Sequence, residues 1–186
     1  ALSAQGGKAK CYACTGSGKS VTCSEATAYS GKKVYTCPGY RLPTEAEWEH
    51  AYRAGTTSAL YVGELTKCMA KDPVADKAGW YKDNSGGTSH PVGKMAANPW
   101  GLHDMAGGVW EWCNDWWTMD LGPAAATDPT GGTDEYYRIM RGGGWYGWSY
   151  NLRGAQRFQK PETYTCHGIG MRPVRTILNT SPDAGI

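Results

Sequence analysis

A loop-rich α+β chain in one domain, with few short helices and short strands, is what this sequence predicts, and three observations predict it. Glycine is abundant but has no repeat period, 26 in 186 residues, which fits tight turns and close backbone approach better than a low-complexity chain. A capping-box pattern at Thr44-Glu-Ala-Glu47 opens one helix. The aromatic-dense run from Val109 to Trp117 suits a core strand and its flank. With 9 Trp and 12 Tyr against a single Phe, the core is expected to be built from amphipathic rings wedged between loops.

In chain order, residues 1–36 form a segment rich in glycine, serine and lysine with little core of its own. Cys11, Cys14, Cys23 and Cys37 crowd into and just beyond it, four of seven cysteines in all. Disulfides would hold such a segment in order and point to an exported protein. A four-cysteine zinc site is the alternative, weakened because Cys23 and Cys37 do not form a second Cys-x-x-Cys. The odd count leaves at least one thiol free or paired between chains.

A main domain over 37–176 follows. Its helix starts after Pro43 with Thr44 as N-cap, runs to about Arg53 and ends at Gly55, burying Trp48, Ala51 and Tyr52 at i, i+3, i+4. Glu45, Glu47 and Glu49 read as charges that complement the helix dipole rather than as catalytic acids. Thr56 to Pro99 reads as loop with scattered short strands, with surface turns at 71–77 and 82–89. His90 and His103 stand without partners at metal-ligand spacing and read as hydrogen-bonded structural side chains. Residues 177–186 read as a polar tail.

A formal net charge of +2 gives no field to attract nucleic acid or an anionic membrane. No apolar run approaches the length of a membrane span. The first seven residues do not form a signal peptide, although a longer precursor with a signal or lipid anchor is compatible with the chain. Secreted, periplasmic or cell-surface location is the expectation.

Three stretches carry a family resemblance in the right order: Gly39-Tyr-Arg-Leu-Pro-Thr-Glu-Ala-Glu-Trp-Glu49, Trp100-Gly-Leu-His-Asp-Met-Ala-Gly-Gly-Val-Trp-Glu-Trp112, and Arg138-Ile-Met-Arg-Gly-Gly-Gly-Trp-Tyr-Gly-Trp-Ser-Tyr-Asn-Leu-Arg-Gly-Ala-Gln-Arg157. They resemble the formylglycine-generating-enzyme (sulfatase-modifying factor) domain over roughly Cys37 to Arg175. The resemblance implies a C-type-lectin-like fold with a small mixed β-sheet, which periodicity alone does not give. It also implies that Ala1 to Gly7 is the last turn of a family helix. The chain would then be the C-terminal part of a longer domain, completed by a preceding segment or by another chain.

The family's enzymes oxidise a substrate cysteine with oxygen and with copper held by two cysteines, soft thiolate ligands for a soft metal. Counted without gaps from the arginine-glycine motif, those positions fall at Gly147 and Leu152, in a loop shorter than that of the enzymes, and the motif's serine is Gly144. Nothing between Cys113 and Cys166 is a cysteine, so no copper is expected. Cys166 beside His167 is a weak nucleophile signal with no triad around it. The resemblance further implies a Ca2+ site formed by Asp104, the carbonyls of Gly107 and Val109, and Glu111, oxygen donors suited to a hard cation. The other reading of Asp104 and Glu111 is pairing with arginines.

Without the catalytic cysteines, the aromatic loop becomes the candidate surface. Tyr146, Trp148 and Tyr150 fall at i, i+2, i+4 and would project to one side of an extended segment, unless Trp148 and Tyr150 pack into the core. With Asn151, Phe158, Gln159, Tyr164 and His167 they make the expected ligand-binding set, because Tyr and Trp give rigid contact area at low entropic cost. The fixed frame of Arg141, Arg153, Arg157 and Arg172 around exchangeable positions also resembles the ligand-binding variable proteins of diversity-generating retroelements. The expected role is a non-catalytic binding module for a protein, peptide or glycan. An enzyme with another site and a structural subunit of an assembly are the alternatives.

Overall fold

The computed structural model describes residues 7–122, 126–133 and 135–177. The expected helical turn at residues 1–7 and the polar tail therefore lie, apart from Gly7 and Ile177, outside the described residues. The chain starts with a hairpin of β1 (Tyr12–Thr15) and β2 (Thr22–Glu25), antiparallel with Cys14 opposite Cys23. Those two cysteines form one disulfide, and Cys11–Cys37 forms a second. Disulfides, not zinc, are thus the use of these four residues. The hairpin docks through polar side chains: Tyr12 Oη donates to Asn114 Oδ1 at 2.7 Å, and Asn114 Nδ2 donates to Glu25 Oε1 at 2.7 Å.

Helix α1 (Glu45–Arg53) forms where the sequence places it. The Glu47 amide donates to Thr44 Oγ1 at 3.2 Å, and Glu47 Oε2 accepts from the Thr44 amide at 2.8 Å. These reciprocal bonds satisfy two amides that a bare helix end would leave unpaired. The helix stops where Ala54 turns left-handed, at φ 45°, with Gly55 following at φ 90°. Trp48 and Tyr52 are buried and Ala51 is half-buried.

The three early glutamates of α1 do more than complement its dipole. Arg41 grips Glu47 through two bonds of 2.6 and 2.7 Å, and Arg157 grips Glu45 through bonds of 2.6 and 2.8 Å. Arg141 is fully buried and pairs with Glu49 and Glu45. Guanidinium groups this deep need carboxylate partners, and fork-to-fork pairing supplies both charge and geometry.

The 56–99 region contains a short helix, α2 (Ala75–Ala78), that periodicity did not reveal. The 71–77 stretch is also no mere surface turn. Asp72 is fully buried, accepting from the amides of Thr66, Lys67, Val74 and Ala75 and from the Thr66 hydroxyl. Burial opposes its charge, but these bonds outweigh burial and hold the carboxyl at about 2. His90 stacks on Trp80 with centroids 3.8 Å apart, and His103 bonds the Met95 carbonyl, both in the structural roles expected.

The central sheet comprises β3 (Trp110–Trp116), β4 (Tyr137–Arg141), β5 (Phe158–Pro161) and β6 (Ile169–Gly170) in the order β5-β4-β3-β6. The β3–β6 pair is parallel and the others antiparallel, so the sheet is mixed. Trp48, Tyr52, Leu60, Tyr81, Met105, Ile139 and Leu152 form the core between α1, the sheet and the loops. Among the described residues, no helix is long and apolar enough to cross a membrane.

Candidate functional site: an aromatic cleft at the glycine loop

Beyond β4 the chain turns at Gly142 and Gly143, with φ of 95° and 81°. A side chain at 143 would also meet the Asn151 carbonyl at 2.8 Å. Gly144 lies against two rings, and a Cβ there would stand 3.1 Å from both Trp110 and Tyr146. The substitution of the motif's serine by glycine therefore makes room for an aromatic wall.

The next residues are not extended. Gly147 N–H closes a turn onto the Gly144 carbonyl at 2.8 Å, and Ser149–Leu152 is a 3-10 turn. The three aromatics consequently diverge, which corrects the expectation of a one-sided extended row. Tyr146 and Tyr150 line a cleft of about 290 Å3 with Trp110, Asn151, Phe158 and Tyr164, while Gly147, Lys160 and parts of the sheet complete it. Trp148 turns away beneath Lys82, whose ammonium lies 3.6 Å from the ring centroid.

Trp110 is 3% exposed and forms the floor, stacked on Phe158 with centroids 5.0 Å apart. Tyr146 crosses Gly168 so closely that a Cβ there would lie 2.1 Å from its ring. Burial, reinforced by the neighbouring Cys166 and Tyr164, pushes the Tyr146 phenol up to about 12, so it stays protonated at neutral pH. Asn151 Oδ1 accepts from the Trp148 amide at 2.9 Å, which fixes the amide's orientation at the cleft. The Lys160 ammonium sits over two rings, 4.7 Å from the Tyr164 centroid and 5.4 Å from that of Phe158.

Of the eight expected ligand-binding residues, the structure brings together Tyr146, Tyr150, Asn151, Phe158 and Tyr164 and leaves three elsewhere. Trp148 lies under Lys82. Gln159 alternates to the other side of β5, beside Trp117 and Tyr137 at a second, more open cleft of about 450 Å3. His167 is exposed next to Trp145, with centroids 5.3 Å apart. Lys160 was absent from the expected set, although it lies two residues from Phe158 and so shares its face of β5.

Gly147 lies on this cleft, whereas Leu152 is fully buried in the core. Among the described residues three thiols are free: Cys68 is exposed, Cys113 buried and Cys166 half-buried. Burial drives the Cys113 thiol well up, which makes it inert.

The corner expected to hold Ca2+ lies at the start of β3. Asp104 adopts a left-handed φ of 57°, and its Oδ2 accepts from the Gly93 amide at 2.6 Å. Glu111 accepts from Trp48 Nε1 at 2.8 Å and from Arg172 through Nε and Nη2 at 3.1 and 2.9 Å. Arg172 also donates to the carbonyls of His103 and Asp104. The pairing with arginine thus exists for Glu111 and, among the described residues, not for the Asp104 carboxylate. A carboxylate offers about four acceptor positions, and three on Glu111 are taken. The remaining one, the Asp104 carboxylate and the carbonyls of Gly107 and Val109 are the oxygens that the resemblance assigns to Ca2+; Arg172 occupies both oxygens of Glu111, and among the described residues no group of three or more His, Cys, Asp or Glu side chains is placed to hold a metal ion.

The mixed sheet, capped helix and long ordered loops define a domain of C-type-lectin-like fold. The solved structure of Treponema denticola variable protein 1 superposes with a TM-score of 0.74 at 26% identity, covering 92% of this chain and 64% of that one. The Sulfatase-modifying factor enzyme 1-like domain profile matches residues 9–177, and the chain belongs to this formylglycine-generating-enzyme-like family. The formylglycine-generating enzyme of Thermomonospora curvata is 40% identical over 137 residues, covering 66% of this chain and 42% of that protein. That of Mus musculus is 32% identical over 174 residues, 87% of this chain and 44% of that protein. The serine/threonine-protein kinase pkn1 of Chlamydia caviae is 38% identical over 136 residues, 70% of this chain and 20% of that protein. The chain spans less than half the length of these relatives.

Proposed function

We propose that this domain is a non-catalytic binding module of its family that takes a protein, peptide or glycan ligand in the aromatic cleft. The observation that carries this reading is that no cysteine lies between Cys113 and Cys166, the stretch where the family's two copper ligands fall, at Gly147 and Leu152 when counted without gaps. Gly147 lies on the cleft, and Leu152 is sealed in the core. Glycine offers no side-chain donor and leucine has no lone pair, so neither can hold a soft metal. The likeness to a variable protein of Treponema denticola supports the same reading, since the cleft is built from the segment that resembles such proteins. Two intrachain disulfides support an exported location.

Copper titration and oxygen uptake with a cysteine-containing peptide test this against the enzyme reading. No stoichiometric copper and no uptake is the expected result; turnover with bound copper overturns the proposal. Ca2+ at Asp104, Gly107, Val109 and Glu111 belongs to the same proposal as a structural ion. Its check is a melting temperature that rises with Ca2+ and falls with chelator, and a melt indifferent to both removes the ion from the proposal.

A further inference from the structure

We propose that the cleft is specific for a carboxylate-bearing sugar ring, a uronate-type saccharide, with Lys160 as its charge partner and the aromatic walls as its stacking platform. The inference rests on the reading of this cleft as the binding surface and names the chemical class of its ligand.

Charge is the first argument. Lys160 is the one charged residue among those lining the cleft, and no acidic side chain lines it. Among the described residues Lys160 joins no ion pair, and the nearby Glu162 is turned toward Arg138 at 3.8 Å. The ammonium is instead held over the faces of Tyr164 and Phe158. Those ring faces are where a cationic guest would seek its attraction, and there it meets the like charge of the ammonium. An anion meets an unneutralised ammonium in a partly desolvated setting, where the attraction is stronger than in bulk water.

Shape and polarity are the second. The walls are flat rings, those of Tyr146, Tyr150, Tyr164 and Phe158, the last stacked on the Trp110 floor. Such rings suit the C–H face of a sugar, and the phenols of Tyr146, Tyr150 and Tyr164 bring hydroxyl groups that both donate and accept. At about 290 Å3 the cleft is at the small end of ligand sites. It matches a single ring rather than the apolar stripe of a docked helix.

The test uses the full chain with its disulfides intact and follows tryptophan fluorescence and titration heats with glucuronate, glucose and glucosamine. Glucuronate is expected to bind at least about tenfold more tightly than glucose, and glucosamine no better than glucose. Raising salt from about 20 to about 300 mM weakens only the glucuronate. Lys160→Met removes the preference and Lys160→Arg restores it, while Phe158→Ala weakens both sugars, with circular dichroism as the control for folding. Equal affinity for glucuronate and glucose, or a preference that survives Lys160→Met, overturns the charge assignment and leaves the cleft intact as a binding site. Glucuronate binding that ignores both Tyr146→Ala and Phe158→Ala overturns the cleft itself. Failure of every sugar, with a poly-glutamate peptide bound instead, overturns the saccharide class.

Discussion

Arg172 and Glu111 tie the end of the chain to the floor of the domain. Glu111 is 6% exposed, so removing its guanidinium strands a buried carboxylate. Arg172→Ala is expected to cost about 3 kcal/mol and to lower the melting temperature by roughly 10 °C, measured by thermal and urea denaturation. Gly168 acts through space instead of charge. The Cβ of Gly168→Ala would fall inside the Tyr146 ring, which is 43% exposed and so must give way toward solvent, out of its place in the cleft. Ligand affinity is therefore expected to fall more than stability, which should drop by about 1 kcal/mol. Binding titration beside a melt checks both. The sequence offered an arginine for Glu111 without saying which one, and it gave no sign of the Gly168 contact, because a ring lying across a glycine and an arginine reaching over 61 residues leave no local pattern in sequence.

Helix α1 was legible almost completely, since a capping box, an apolar stripe and a glycine stop are local signals that agree. What the helix does to Asp115, 70 residues away, was not. Asp115 is buried under the helix start, where its Oδ2 accepts from the Glu45 amide at 2.8 Å. Burial, reinforced by Glu45 and Glu47, raises its carboxyl from the usual 3.8 to about 7 despite that amide. The folded protein thus holds this proton more tightly than the unfolded chain. The resulting stability is complete below about pH 4 and is lost as the pH rises through 7. Melting temperature should accordingly decline between pH 5 and 8, and Asp115→Asn, which keeps an acceptor for the amide, should flatten that decline. Strand β5 shows the opposite balance. Its period of two sorts Phe158 and Lys160 onto the cleft and Gln159 away from it, yet its place at the sheet edge had to come from the fold.

At the scale of the whole molecule, the amino-terminal hairpin is an attached piece. Among the described residues its β-strands pair only with each other, and it holds to the body through Cys11–Cys37, Tyr12 and Glu25. Closing that 26-residue separation contributes roughly 3.5 kcal/mol on a chain-entropy account. Hydrogen exchange under reductant should release the β1 and β2 amides first while β3 and β4 stay protected; simultaneous loss would show that the two parts unfold as one. The cysteine count predicted staples, but their pairing depended on a register that only the folded hairpin sets. The family motifs likewise located the cleft while leaving its shape unread, because a shortened loop with a 3-10 turn breaks the spacing that an extended row would follow. One bond of that loop reaches further. Arg141 donates to the Gln156 carbonyl at 2.6 Å, and Arg157, the next residue, is clamped to Glu45. The two ends of the 142–156 segment are thereby bolted to each other and to α1. Between those bolts Leu152 is sealed in the core and Ser149 is tied to the Lys67 and Cys68 carbonyls, so the segment acts as a clamp whose buried positions hold the frame while exposed ones such as Tyr146 face the cleft.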